Sequence, residues 1–355
     1  MATPNPLSHE LLIASLTIQR ASLATKKVLA TIKTTNNEIS KADSTPVTIA
    51  DFAAQALIIS AIHHAFPEDS FIGEEDSSVL RQDTELCGKV WELVRSTKLN
   101  DEESEGLLKR PQDVEEMLKM IDLGGRGVGG KGRVWMLDPV DGTATFLKSQ
   151  QYAVCLALVE NGKEVLGVIG CPNLKFESTR VEEEVVDETG WGCMLSAVKG
   201  EGAFRRPMGE GGLQPAQKLE KEPKAGADLA TLEFVDSSMS RSTSHETVHR
   251  VAEKIGANHP GAELWSSQMR YIALVLGSSI IQVRIPPQKI KTSFVWDHAG
   301  GQLILAEVGG KVTDVNGKNI DFSLGRNLAG NWGMIASREG VHERLLAAVD
   351  EILKL

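Results

Sequence analysis

The run Asp138-Pro139-Val140-Asp141-Gly142-Thr143 directly follows the apolar stretch Val134-Trp135-Met136-Leu137. That order predicts a buried strand that stops abruptly and delivers two carboxylates and a hydroxyl onto a tight turn. Two acids so close together repel each other unless a cation neutralises them. Magnesium suits the task, because hard divalent ions take carboxylate oxygens and keep waters for phosphate chemistry.

Three more acids share this local grammar. Glu74 follows Phe71-Ile72-Gly73, Asp51 follows Thr48 and is expected to open a helix, and Asp297 in Trp296-Asp297-His298-Ala299 is expected to open another. Carboxylates that converge on one cleft without lysine or arginine nearby imply metal ions. Each also has a structural reading: Asp51 with Thr48 fits a helix cap, and Asp297 fits the positive end of its helix. Glu74 and Glu75 read singly as solvated turn residues, and Asp141-Gly142 as a turn dipeptide. Asp138, directly after four apolar residues, would be partly desolvated and is harder to explain structurally. Together the five acids point to chemistry. If a turn or helix starts at Gly142-Thr143, its free N–H groups offer a phosphate site. Thr143 is then placed to relay a proton between an attacking water and Asp51, since a threonine hydroxyl needs a carboxylate behind it.

Other signals are weaker. Gly125 to Lys131 nearly spells a phosphate-binding nucleotide loop, but Gly132 stands where serine or threonine is needed, and a strand follows. The eight histidines show no metal-ligand spacing of the HExxH kind. His298 is expected to pack or cap. His245 and His249 read as a polar helix face, with zinc binding as the alternative.

The elements that must position these residues are legible in outline. Residues 9 to 32 read as a helix. A second begins near Asp51, with Ala54, Leu57, Ile58, Ala61, Ile62 and Ala65 on one face and Pro67 beyond its end. Residues 96 to 119 read as a charged surface insertion with a short helix. Asn161-Gly162 between two apolar runs predicts a hairpin. Residues 205 to 228 read as a flexible loop near a domain boundary. Strands near 234 to 238 and 279 to 285 and helices near 245 to 256 and 297 to 307 follow, with Gly309-Gly310 as the last helix's cap.

The bulk numbers fit a globular chain. The 355 residues allow two ordinary domains, 41% are hydrophobic and 24% charged. The net charge of −10 argues against nucleic-acid or membrane-surface binding, but not against a small phosphorylated ligand held through metal ions. The four cysteines are far apart, and neither a secretory leader nor a long apolar span stands out. Buried free thiols and a cytoplasmic location are therefore expected.

The ordered set Thr48-Ile49-Ala50-Asp51, Gly73-Glu74-Glu75, Asp138 to Thr143 and Trp296-Asp297-His298-Ala299-Gly300 resembles the magnesium-dependent, lithium-sensitive phosphatases of the inositol monophosphatase superfamily. Ser44 to Thr48, Gln151 to Leu158 and Gly170 to Leu174 resemble its branch of 3'(2'),5'-bisphosphate nucleotidases. The resemblance implies a layered αβαβα sandwich. An α+β part over residues 1–200 would supply most metal ligands, and an α/β part over 201–355 would supply Asp297 and a nucleotide-binding wall. It further implies two to three magnesium ions. Glu74, Asp138 and the Val140 carbonyl would hold one; Asp138, Asp141 and Asp297 a second; a third would sit near Glu74. Asp51 and Thr143 would activate water. Gly142, Thr143, Ser267, Arg270 and Arg284 would bind substrate, with a core ion pair as the alternative for Arg284.

The implied reaction is hydrolysis of adenosine 3',5'-bisphosphate to AMP and phosphate, and of its sulfated form, in support of sulfate assimilation. The expected enzyme is a monomer whose partner is a small bisphosphate nucleotide, with no nucleic acid and no membrane. Three departures fall on the substrate side: Ala144-Thr145 in place of Lys-Gly, Met239 in place of a histidine (His245 follows shortly after), and Ser293-Phe294 in place of Glu-Lys, with Arg270 standing for lysine. An inositol phosphate phosphatase, acting for instance on inositol 1,4-bisphosphate, and a non-catalytic nucleotide or metal sensor are the alternatives.

Overall fold

The computed structural model describes residues 6–34, 45–125, 127, 131–221, 228–238, 240–288 and 293–354. The chain opens with two long helices, α1 (Ser8–Thr34) and α2 (Thr45–Ala65), and a short strand β1 (Ser70–Gly73). Four helices follow: α3 (Ser78–Gln82), α4 (Thr84–Ser96), α5 (Glu102–Gly106) and α6 (Val114–Leu123). Next come β2 (Arg133–Asp141), the one-turn helix α7 (Thr143–Phe146), and the strands β3 (Ala153–Glu160), β4 (Lys163–Cys171), β5 (Cys193–Val198), β6 (Gly202–Pro207) and β7 (Gln217–Lys218). The remainder alternates: β8 (Glu233–Asp236), α8 (His245–Ile255), β9 (Asn258–Glu263), α9 (Ser267–Leu276), β10 (Ile280–Arg284), α10 (Ala299–Glu307), β11 (Gly310–Thr313), β12 (Met334–Arg338) and α11 (Glu339–Leu353).

Strands β1 to β7 form one sheet in chain order, and the other five form a second in the order β11-β12-β10-β8-β9. The first sheet runs past residue 200 to Lys218. Its strands β2 to β5 are largely apolar on both faces, because each face is covered. On β2 and β3, Trp135, Leu137, Val154, Leu156 and Leu158 pack with α1 and α2. Their alternating neighbours Val134, Met136, Cys155, Ala157 and Val159 share a core with α9, α10 and the second sheet. The far face of that sheet, through Phe234, Ile281, Val283 and Ile335, packs on α8 and α11. Helices, sheet, helices, sheet, helices: the five expected layers are present.

Several local readings need amendment. The second helix begins at Thr45, so Asp51 lies in its second turn and does not open it. Pro46 occupies the first turn, where its missing N–H costs nothing. Residues 96 to 119 are not wholly superficial. Leu99 and Leu108 are buried, and α6 sends Met117, Leu118 and Ile121 into a core with α2 and α4. The 205 to 228 segment begins and continues with strand, and Gly211 and Glu210 are tied by hydrogen bonds to Gln19 and Asn100. A long apolar span does exist, since α2 is long and apolar enough to cross a membrane, but here it is a buried core helix. The hairpin is as expected: Glu160 pairs with Lys163, and Asn161 and Gly162 both take positive φ, 50° and 78°. All four cysteines are free and buried.

Helix α10 is the middle of the sandwich, lying on β3, β4, β5 and β6 and against α9. Small residues permit this approach: a Cβ on Gly167 of β4 would come within 2.9 Å of the Gly300 carbonyl oxygen. Gly167→Val should therefore destabilise the protein by about 1–3 kcal/mol in urea unfolding. Gly88 of α4 has open space around it, so Gly88→Ala should instead stabilise by about 0.5–1 kcal/mol.

Candidate active site

Strand β2 carries the irregularity that makes the site. Against β3, Asp138 pairs with Cys155 and Asp141 with Ala153, so three steps along β2 face two along β3. Side chains alternate along a strand, and in regular pairing positions 138 and 141 would point to opposite faces. The extra residue at Pro139-Val140 is a bulge, and it brings both carboxyls to one side. Proline donates nothing to a ladder and is tolerated at such a bulge. Val140 is buried in it, and its N–H donates to Asp138 Oδ1 over 3.2 Å.

Neighbouring elements bring the other acids. Strands β1 and β2 run parallel with Gly73 beside Leu137, so the next residues, Glu74 and Asp138, emerge together. Asp297 arrives from the second half of the chain, just before α10. One carboxylate oxygen each from Asp138, Asp141 and Asp297 lie within 4.8 Å of one another. Asp51 is buried on α2, close enough to Glu75 and Glu74 to be repelled by both.

Burial is the first cause of the shifted acidities. It lifts the Asp51 and Asp138 carboxyls well above the usual carboxylate range, with repulsion from the neighbouring acids added. Asp297 rises to about 7 through burial and then Asp141. Glu75 also rises to about 7, through desolvation and then Glu74. Partial desolvation raises Glu74, a hydrogen bond with Asp138 opposes that rise, and repulsion from Asp141 reinforces it. Burial raises Asp141 too, but three donors oppose it: Ser266 Oγ at 2.5 Å, Gln268 N at 2.5 Å and Ser267 N at 3.2 Å. Asp141 therefore caps α9 from across the molecule. The cations Arg270, Arg284 and Arg326 act on these acids without forming an ion pair with them among the described residues. Hard oxygen donors with excess negative charge fit a hard divalent cation.

The residues expected on the substrate side lie beside the acids. Gly142 takes φ 102°, and a Cβ there would meet Ser266 Cβ at 3.0 Å, so glycine is required on two counts. Thr143 and Ala144 begin α7 exposed, and their N–H groups precede its first helical bonds, which run from Thr145 and Phe146 to the Gly142 carbonyl. Ser267 Oγ accepts from Arg270 Nη2 over 3.0 Å, and Arg270 Nη1 donates to the carbonyls of Leu264 and Trp265. Arg284 donates to Ser242 Oγ over 2.7 Å, while its Nη1 is buried without a partner. No core ion pair holds Arg284 among the described residues. His298 is buried, with Nδ1 3.1 Å from the Tyr271 hydroxyl, so it packs and does not cap. His245 bonds to Asp236 and the Ser240 carbonyl, and His249 meets His259. Met239 and most of the glycine-rich run near 128 lie outside the described residues.

Gln55, Ser266 and Arg326 escaped the sequence reading. Gln55 is fully buried on α2, donates to the carbonyls of Glu75 and Ile121, and accepts from the Glu75 N–H. Its signal was a polar residue amid the apolar face of a helix. Gln268 links the acids of both halves: its N–H bonds Asp141, and its side chain holds the Trp296 carbonyl and the Gly301 N–H. Ser266 and Arg326 carried no signal, because both lie in loops whose partners are remote in sequence.

The sequence profile described as the inositol monophosphatase family matches residues 8–354. The chain is 40% identical over 353 residues to the 3'(2'),5'-bisphosphate nucleotidase of Emericella nidulans, covering 98% of this chain and 99% of that one. It is 38% identical over 339 residues to the enzyme of that name from Schizosaccharomyces pombe, covering 95% and 93%. The chain belongs to the inositol monophosphatase family. It is a phosphoric monoester hydrolase. The fold agrees: inositol monophosphatase II from Staphylococcus aureus superposes with TM-score 0.58 at 18% identity, covering 97% of this chain and 98% of that one. A 2'-AMP-bound SaIMPase-II superposes with TM-score 0.57 at 17% identity and 95% coverage of each.

The raised carboxyl pKa values make this family member's stability depend on pH in a defined direction. A carboxyl whose folded pKa is raised binds more protons in the folded than in the unfolded state, so stability is lost as pH rises from the unfolded value through the folded one. Buried His298 and His342, both held neutral, act oppositely but only up to about pH 6.5. Chelated, metal-free protein should therefore melt at progressively lower temperature from about pH 6.5 to about pH 8 as Asp297 and Glu75 ionise. A hard divalent cation, with magnesium as the probe, should raise the melting temperature more at the upper end, where more of the acids are ionised. Differential scanning fluorimetry across that range, with and without magnesium, reads both effects.

Proposed function

We propose that the chain hydrolyses the phosphomonoester of a bisphosphate nucleotide, converting adenosine 3',5'-bisphosphate to AMP and phosphate, with adenosine 3'-phosphate 5'-phosphosulfate as a second substrate. The convergence of Asp138, Asp141 and Asp297 beside Glu74 carries the reaction class. Near-full-length similarity to nucleotidases supports the substrate class.

Glu74, Asp138 and the Val140 carbonyl would hold one magnesium ion, Asp138, Asp141 and Asp297 a second, and Glu74 would border a third. Bound there, magnesium would supply charge neutralisation for the phosphate and acidify the attacking water. The residues do the rest. Thr143, exposed at the start of α7, accepts the water's proton and passes its own to the ionised Asp51 carboxylate on α2. The water oxygen attacks phosphorus in line, the bond to the ribose oxygen breaks, and that oxygen takes a proton from a solvent water to leave as the hydroxyl of AMP, while Asp51 returns its proton to solvent. The first N–H groups of α7 orient the phosphate undergoing attack. A buried guanidinium donor without a partner is costly, and an oxygen of the second, unhydrolysed phosphate answers Arg284 Nη1. Lithium and sodium would inhibit by competing at a magnesium position. The reading places the enzyme in the cytoplasm as a monomer that removes a by-product of sulfate assimilation.

Two measurements test this. Phosphate release with magnesium should be fastest on adenosine 3',5'-bisphosphate among bisphosphate nucleotides and inositol phosphates. Preference for inositol 1,4-bisphosphate would assign the chain to the other branch. Thr143→Ala should lower kcat by about a hundredfold or more with little change in KM. Unchanged turnover would remove threonine from the proton path, and no release from any phosphomonoester by the wild type would favour a sensor.

A further inference from the structure

Glu74 and Asp297 come from opposite halves of the chain, and one side chain touches both loops that carry them. Arg326 donates from Nη2 to the Glu74 carbonyl over 3.3 Å and from Nη1 to the Gly124 carbonyl over 3.1 Å. That Gly124 carbonyl also accepts the N–H of Gly73, the last residue of β1, over 2.9 Å. On the other side, the guanidinium carbon lies 4.7 Å from the ring centroid of Trp296, the residue before Asp297. Phe294 stacks on Trp296 at 4.6 Å with the planes 6° apart, so the indole meets both a cation and a second ring. The backbone joins in, since the Val295 N–H donates to the Arg326 carbonyl over 3.0 Å.

We propose that Arg326 is a positioning residue for the divalent-cation site, a strap that holds the Glu74 loop and the Asp297 loop at one separation. The inference rests on the reading of the acid cluster as a cation site. Gln55 fixes the inner side of the Glu74 loop through Glu75, and Arg326 fixes the outer side. Two carbonyls and a ring face contacted at once need a planar fork. A lysine ammonium, a single point on a flexible stem, does not reproduce that set.

Charge and position make opposite predictions here. A positive residue beside a cation site repels the cation, so a purely electrostatic Arg326 would hinder binding, and its removal would strengthen it. A strap removed leaves the ligands misplaced, and binding weakens. The experiment is titration of Mn2+ into purified, substrate-free full-length protein, followed by calorimetry and by the electron paramagnetic resonance signal of free Mn2+. Arg326→Ala and Arg326→Lys should each weaken at least one Mn2+ site by roughly ten- to a hundredfold. The metal-free melting temperature should stay at the wild-type value, because Arg326 is only half-buried. If Arg326→Ala lowers that temperature, Arg326→Lys, which keeps the packing and the charge, decides. Wild-type affinity in Arg326→Lys, or equal or tighter binding in Arg326→Ala, overturns the strap. If the wild type binds no Mn2+ and Asp138→Asn is equally silent, the cation-site reading has failed and the strap falls with it.

Discussion

The structure depends on keeping several carboxyls, out of water, within reach of one another. Such an arrangement opposes folding through both desolvation and repulsion, and the effective penalty remains large after relaxation. The chain confines that cost to one place by a one-residue bulge in β2. The bulge turns Asp138 and Asp141 to the same side, and the parallel neighbour β1 adds Glu74. Everything else within this region acts to hold the acids despite their mutual repulsion.

The holding is shared between the two halves. Asp141 caps α9, and the Gln268 side chain two residues into that helix grips the turn before α10, where Asp297 lies. Two acids, one on a strand of the first sheet and one in the turn before α10, are thus joined through one helix terminus. The same contact doubles as packing, since α10 lies on the first sheet with Gly167 against Gly300 and joins the two sheets into one core. The site does not sit on the sandwich as an attachment. It is where the sandwich closes.

Much of this was legible in the chain. Acids placed just after apolar runs, as in Leu137-Asp138 and Trp296-Asp297, report where an apolar element ends, and the structure brings these two carboxyls together. The Asn161-Gly162 hairpin follows from backbone preference alone. The readings that failed concern information not local to the residues. Asp51 follows a threonine in a cap-like pattern, but Pro46 starts the helix earlier and moves Asp51 inward. The charged run from 96 to 119 hides Met117, which shares one helix face with Ile121 just beyond it, and their partners on α2 and α4 lie far back in the chain. Arg326 was invisible because its partners are two carbonyls and a ring, and carbonyls have no residue type.

The middle layer also imposes an order on biosynthesis. The first sheet is complete once Lys218 has left the ribosome, but the cover for one of its apolar faces is α10, which begins at Ala299. Until that later stretch emerges, Ala157, Ile169, Leu195 and Ala203 have no partner helix and offer a sticky surface to other nascent chains. Assembly of the reaction centre is thereby coupled to relief of an aggregation hazard, because the helix that shields the face follows directly after Asp297.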